Sequence, residues 1–324
     1  MAAFDRYVGI DYSGAQTPTS SLKGLRVYAA ERDTPPSEVP PPPGPRKYWT
    51  RRGIAEWLVE RLAETPASLV GIDHGFSFPL RYFETHRLLP DWPSFLDDFQ
   101  RHWPTDREHM YVDFVRDGLH GNGALRWGKA RWRRVTEVRA GSAKSVFHFD
   151  VQGTVAKSTH AGIPWLRHIR RQVGQRVHFW PFDGWTISAG PSAIVEVYPS
   201  LWRRRYPPAD RTPDQHDAYC AAEGMRRADL DGDLPRFLHT LPRRHGSRGG
   251  RRGGLDPRCR IDASCPCGRD RRPRVVAQFR GSVRQKREAF SSCRTRESYN
   301  TVHIHRIHVI FGLRHDDHAL RAGD

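Results

Sequence analysis

Two short segments constrain this chain more than any other feature. Tyr7-Val8-Gly9-Ile10-Asp11 and Leu69-Val70-Gly71-Ile72-Asp73 are apolar runs that close on the same triplet, Gly-Ile-Asp. Each is followed within a few residues by a turn glycine, Gly14 or Gly75. Short apolar runs bounded by turn residues read as buried strands. If the two strands are parallel neighbours, both carboxylates emerge at one sheet edge, where α/β proteins build their sites.

The surrounding sequence supplies partners for these strands. Residues 25–30 read as a second strand, joined to the first by a hairpin. The proline-dense stretch 35–45 reads as an extended surface loop. Residues 53–64 form an amphipathic helix, with Ile54, Trp57, Leu58 and Leu62 on one stripe and Pro66 ending it. Strand, helix and strand in this order point to an α/β layer. Phe95, Phe99 and Trp103 recur at helical spacing and are expected in packing. A helix is expected over 159–173, with Thr159 as its cap and Pro164 in its first turn. Its apolar face is Ile163, Leu166, Ile169 and Val173, and Arg167, Arg170 and Arg171 lie opposite, toward solvent. Strands are expected at 177–182 and 193–198. The last helix, 212–227, opens on Thr212-Pro213-Asp214-Gln215, a capping box with proline at the first helical position. Its Ala218, Ala221, Ala222 and Met225 make a small-residue face that suits close approach to a sheet.

Five acids follow from this reading as candidates: Asp11, Asp73, Asp214, Asp217 and Glu196. Asp214 and Asp217 are three apart on a helix and share a side. Carboxylates in this number suit a hard cation, Mg²⁺ or Mn²⁺, rather than zinc. Two such ions activate a water and stabilise a leaving oxygen in phosphodiester cleavage. Each acid also has a structural alternative. Asp11 and Asp73 would serve as turn caps, and Asp214 as a helix-dipole charge. Glu196 would serve as an arginine partner, and Asp217, deeper beside the alanine face, needs a partner of some kind. A basic and aromatic stretch offers nucleic-acid contacts, with Arg126, Lys129, Arg131, Arg133 and Arg134 on phosphates and Trp127 or Trp132 stacking on bases. An ordinary surface hairpin with inward tryptophans fits the same residues.

Taken in order, Gly9-Ile10-Asp11, Gly71-Ile72-Asp73, Glu196-Val197-Tyr198-Pro199-Ser200 and Asp214-Gln215-His216-Asp217-Ala218 resemble the domain of unknown function 429 family. That family is regarded as a set of predicted nucleases with a ribonuclease H-like fold. The Asp-x-x-Asp-Ala helix pattern also resembles the last acidic motif of Holliday-junction resolvases. The resemblance spans residues 7–227. It implies an α/β fold with a ribonuclease H-like mixed sheet flanked by helices. It also implies Asp11 as the first-strand acid, Asp73 as that of a later central strand, and Asp217, with Asp214, as the C-terminal helix acid. Glu196 matches a recurrent glutamate without an assigned role. Against a minimal core, 76–190 is a long insertion, a lid or subdomain.

The domain expected over 1–242 carries 33 Lys+Arg and 28 Asp+Glu, whereas 243–324 carries 20 and 8. The net charge of +17 therefore belongs mostly to the last quarter, and all ten tryptophans lie at or before Trp202. Three readings fit this basic, low-order tail. One is a disordered arm holding nucleic acid electrostatically. Another is a zinc module from Cys259, Cys265, Cys267, Cys293 and nearby histidines, whose spacing matches no common zinc motif. The third is a frameshifted segment of a GC-rich gene. Five cysteines, one of them before residue 243, argue against a disulfide framework. Asp5 and Arg6 interrupt any leader, and no apolar run nears the roughly 20 residues of a membrane span. The expected setting is soluble and cytoplasmic. The leading functional expectation is a metal-dependent nuclease acting on DNA or RNA. Its rivals are a catalytically silent nucleic-acid-binding module and an actin-like or sugar-kinase-type ATPase. The latter is suggested by Asp11-Tyr12-Ser13-Gly14 but lacks a second glycine-rich phosphate loop. The frameshift reading predicts that the coding DNA near Leu241 continues in another frame as apolar-patterned sequence. Two unpatterned frames would end it.

Overall fold

A computed structural model of the chain describes residues 2–238, apart from 142 and 152–153. The tail 243–324, with every reading made of it, lies outside the described residues. Six strands form one mixed sheet: β1 (Arg6–Asp11), β2 (Arg26–Glu31), β3 (Thr34–Glu38), β4 (Ser68–Asp73), β5 (Val177–Phe179) and β6 (Ser192–Glu196). Their spatial order is β3-β2-β1-β4-β6-β5. The β1-β2-β3 side is antiparallel, and β1, β4, β6 and β5 run parallel. The architecture is therefore α/β, with helices on both faces of the sheet.

Alternation along the strands divides the core in two. Val8, Ile10, Val70, Ile72 and Ile194 face one side. There they pack with α1 (Arg51–Ala63), α3 (Trp92–His102) and α6 (Val155–Val173). Tyr7, Leu69, Ala193 and Val195 face the other side, against Cys220, Ala221 and Met225 of α7 (Pro213–Leu230). Between β4 and β6 also lie α2 (Leu80–His86), α4 (Val112–Arg116) and α5 (Val135–Arg139). Residues 76–190 contribute α6 and β5 to the main sheet layer, and Phe95, Phe99 and Trp103 are buried in that layer as expected. The final described element is α8 (Leu234–Leu238).

Three sequence expectations change. Part of the proline-rich stretch, including Pro35 and Pro36, is strand β3. It is an edge strand, the position in a sheet where a residue without N–H is tolerated. Helix α6 begins at Val155, so Thr159 is not a cap. Thr159 is buried mid-helix, and its Oγ1 accepts the Gly75 N–H at 2.8 Å. Pro164 accordingly lies inside α6, where proline removes the hydrogen bond to the carbonyl four residues back. That carbonyl, on His160, instead accepts the buried Thr105 hydroxyl at 2.7 Å. On the outer side of α6 the arginines are ion-paired rather than merely solvated. Arg170 chelates Asp183 at 2.6 Å through both nitrogens, and Arg167 and Arg171 share Asp97.

Helix α7 owes its position to two glycines. Gly9 and Gly71 are paired directly across β1 and β4. A Cβ on Gly9 would stand 2.2 Å from the Ala218 carbonyl and 2.5 Å from the Ala222 nitrogen. A Cβ on Gly71 would stand 2.8 Å from Met225 Cε. The first contacts are with backbone and cannot yield by a side-chain rotation. The helix begins as the sequence indicates, with Thr212 Oγ1 accepting from Gln215 N and Gln215 Oε1 accepting from Thr212 N. Gly9→Ala is expected to destabilise the fold by about 3 kcal/mol, the overpacking scale, measured by urea unfolding. A loss below about 0.5 kcal/mol would show that the helix is not seated this way.

Candidate functional site

The parallel register sets Asp11 directly opposite Asp73 at the ends of β1 and β4. Each stands two residues beyond its glycine and so points to the same sheet face, the one covered by α7. The low seating of that helix brings its first two turns to this sheet edge. The charges of Asp217 and Asp214 act on Asp11, and that of Asp217 acts on Asp73. Both strand carboxylates are partly exposed, and neither accepts a hydrogen bond or forms an ion pair within the described residues.

The electrostatic outcome follows from this crowding. Burial pushes the Asp11 carboxyl well above the ordinary carboxylate range, and Asp73, Asp217 and Asp214 add to the shift. Burial, with Asp217 and Glu196, raises Asp73 to about 8. Arg203 opposes both shifts. Its Nε donates to Asp217 Oδ1 at 2.7 Å and its Nη2 donates to Oδ2, a two-pronged grip. The Asp217 hydrogen bond in turn raises the Arg203 pKa.

The loop after Asp11 is held from below. Arg51, at the start of α1, is fully buried. Its guanidinium donates to the carbonyls of Ser13 at 3.2 Å, Ala15 at 2.6 Å and Gln16 at 2.8 Å. Gly14 rests on the backbone of α6, where a Cβ would meet Lys157 O at 2.1 Å. Ser13 and Asp214 flank Gly24, from whose Cβ position Ser13 Oγ and Asp214 Oδ2 would each be 3.7 Å away. After Asp73, His74 is buried against Tyr12, ring centroids 4.6 Å apart. Burial lowers its pKa to about 4, and Nδ1 meets the Gly75 carbonyl at 3.0 Å. It is a neutral packing residue.

Glu196 belongs elsewhere. It pairs in register with Ile72, so it faces the α6 side of the sheet, opposite the aspartates. Its Oε2 accepts from Arg134 Nη1 at 2.8 Å and Phe76 N at 3.0 Å. That arginine pairing is the structural role the sequence also allowed for it. Arg134 is correspondingly interior. It also bonds Glu137 Oε1 at 2.9 Å and the Tyr198 hydroxyl at 3.0 Å. Burial disfavours its charge, but Glu196 and the other partners outweigh this and hold it protonated. Trp132 is only 6% exposed. Neither Arg134 nor Trp132 can serve as a nucleic-acid contact on the surface. Arg126 chelates Asp98 at 2.6 and 2.7 Å. Arg133 donates to the backbone carbonyls of Glu137 and Ala143. Arg131 and Lys129 are exposed, and Lys129 lies over the ring of Trp127, which is 46% exposed.

Searches against protein-family models, curated proteins and solved structures found no match. The residues themselves therefore carry the functional reading. Among the described residues, no three metal-ligating side chains are gathered as they stand to hold an ion. Asp217 is turned to Arg203, leaving Asp11 and Asp73 as an unpartnered pair. One or two carboxylates, with waters and substrate phosphates completing an octahedron, is a usual Mg²⁺ donor set. The pair fits such an ion. Sequence reasoning missed Arg51, Ser13 and Arg203. Arg203 stands in a run of three arginines, with nothing in the sequence to single it out.

A sign follows for pH. The Asp73 carboxyl is raised in the folded state, so the folded protein binds more protons than the unfolded chain between about pH 4 and pH 8. Metal-free stability must fall as pH rises through that window. The thermal midpoint of the wild type in chelator, relative to Asp73→Asn, is expected to drop progressively from pH 5 to pH 8. A pH-independent difference would contradict the raised carboxyl.

Proposed function

We propose that this domain is a metal-dependent phosphodiester hydrolase, a ribonuclease H-like nuclease of the kind its sequence motifs resemble. The observation that carries the reading is the in-register Asp11–Asp73 pair, two crowded carboxylates without a protein donor. Such a pair is stable as anions only with a cation beside it. The order of the motifs supports the same reading, with one acid on the first strand, one on a neighbouring parallel strand and one on the helix near the C-terminal end of the described domain.

Mg²⁺ or Mn²⁺ bound there supplies activation of a water and stabilisation of the leaving oxygen. Asp11 and Asp73 would hold the ion through carboxylate oxygens, with Asp217, Asp214 and the Ser13 hydroxyl as the further polar groups toward that edge. Arg51 ties the 13–16 loop to the start of α1 through three backbone carbonyls. Nucleic acid, DNA or RNA, is the polyanion this chemistry calls for. Exposed Lys129 and Arg131, with the Trp127 face, remain candidate contacts on the inserted region.

The experiment is a cleavage assay on single- and double-stranded DNA, RNA, hybrids and branched junctions with Mn²⁺ added. Asp11→Asn and Asp73→Asn are each expected to lower the rate at least about 100-fold, the scale for losing a group that stabilises transition-state charge. Activity that survives both substitutions would falsify the mechanism. Salt-sensitive binding with no cleavage and no metal dependence would instead identify a silent binding module.

A further inference from the structure

We propose that Trp127 is a stacking platform for a base of single-stranded nucleic acid, with Lys129 and Arg131 holding the neighbouring phosphates. The inference concerns binding alone. It uses none of the carboxylates at the sheet edge and stands whether or not that edge cleaves anything.

The segment that carries these side chains is fixed to the fold by its backbone. The Trp127 carbonyl accepts from His86 Nε2 at 2.7 Å, and the Lys129 carbonyl accepts from Trp132 N at 2.8 Å. Between them Gly128 lies against the buried Phe147, whose ring a Cβ there would meet at 2.4 Å. Trp132 and Arg134 are buried, and Trp127, Lys129, Arg131 and Arg133 are exposed. The indole is braced as well. Its centroid is 5.7 Å from the His86 ring, edge-on, and 5.2 Å from Trp132, yet almost half of the residue stays open to solvent. An aromatic already held by its neighbours loses little freedom when another ring stacks on it.

Charge selects the occupant. Residues 118–134 hold five Lys and Arg and no Asp or Glu. Arg126 is neutralised by Asp98, and Arg134 by Glu137 and Glu196. Lys129, Arg131 and Arg133 meet no carboxylate among the described residues, and Arg133 is tied only to backbone carbonyls. On α2, Arg81, whose guanidinium stands 5.7 Å over Trp132, is formally balanced by the exposed Glu84. Uncompensated cations beside an open indole match a ligand that alternates phosphates with planar bases. In a duplex both faces of a base are already stacked, so the indole serves a single strand. Lys129 Nζ lies 5.5 Å over the indole. An arriving base takes that place, and the ammonium swings on its flexible stem to the adjoining phosphate.

The test is fluorescence anisotropy of a labelled oligothymidylate of about 15 nucleotides, the length one single-strand binding fold covers, added to the full chain in chelator. Trp127→Ala is expected to weaken binding about tenfold, the scale of one lost stack, and Trp127→Phe less than about threefold. Replacing Lys129 and Arg131 together by Gln is expected to flatten the slope of log affinity against log salt by about 1.4, two phosphate contacts on a single strand. The basic residues beyond 242 are common to every variant, so a readout at the site itself accompanies the titration. A strand carrying 5-bromodeoxyuridine, irradiated in complex with the wild type, is expected to cross-link to the peptide that contains Trp127. Cross-links confined to other peptides overturn the proposal, as does Trp127→Ala binding as tightly as wild type. A loss as large on a duplex of the same length overturns the stacking assignment. If polyglutamate, rather than the oligothymidylate, is the ligand whose affinity falls in Trp127→Ala, the face belongs to an acidic protein and the proposal is overturned.

Discussion

The close seating of α7 on the Gly9–Gly71 pair is the constraint on which the rest depends. Two missing Cβ atoms, side by side on adjacent parallel strands, let a helix with an alanine face approach to backbone contact. The opening turns of the helix then reach the sheet edge at the height of Asp11 and Asp73. Each Gly-Ile-Asp triplet therefore performs three tasks in three residues. The glycine seats the helix, the isoleucine fills the core on the opposite face, and the aspartate stands at the edge. A shift of either strand by one residue would exchange those faces and scatter the acids.

Assembling like charges this way opposes folding, and the structure answers with charge on both sides of the sheet. On the α7 side, Arg203 grips Asp217 while the strand pair keeps elevated proton affinity. On the α6 side, Arg134 neutralises Glu196 and Glu137 inside the core. The two arrangements share a chemistry but not an environment. The interior one is saturated with partners, and the other opens to water.

Much of this was legible in the chain because it is local. The apolar runs of β1 and β4, the capping box of α7 and its alanine face are patterns within a few residues, and the structure follows them. Asp11, Asp73, Asp214 and Asp217 stand out as candidates for the same reason. What was not legible depends on pairings distant in sequence. Glu196 ends an apolar strand as the two aspartates do, and only its register with Ile72 assigns it to the opposite face. Arg134 reads as a surface group in either interpretation of its stretch until the Glu196 and Tyr198 partners, more than sixty positions away, draw it inward, whereas Trp132 follows the inward-packing alternative. Pro164 marked a first turn by its usual preference, yet one hydroxyl on Thr105 makes an interior proline tolerable. Arg51 opens an ordinary amphipathic helix, and no local signal reveals that it holds a loop.

The Arg134–Glu196 contact bears on the engineering of the chain. The acid belongs to the sheet and its base to the inserted region between β4 and β6. Excising the segment between β4 and β6 would leave a carboxylate enclosed without its counter-charge, a defect of about 3–5 kcal/mol, besides stripping α6 from the sheet. The segment is thus not a detachable module.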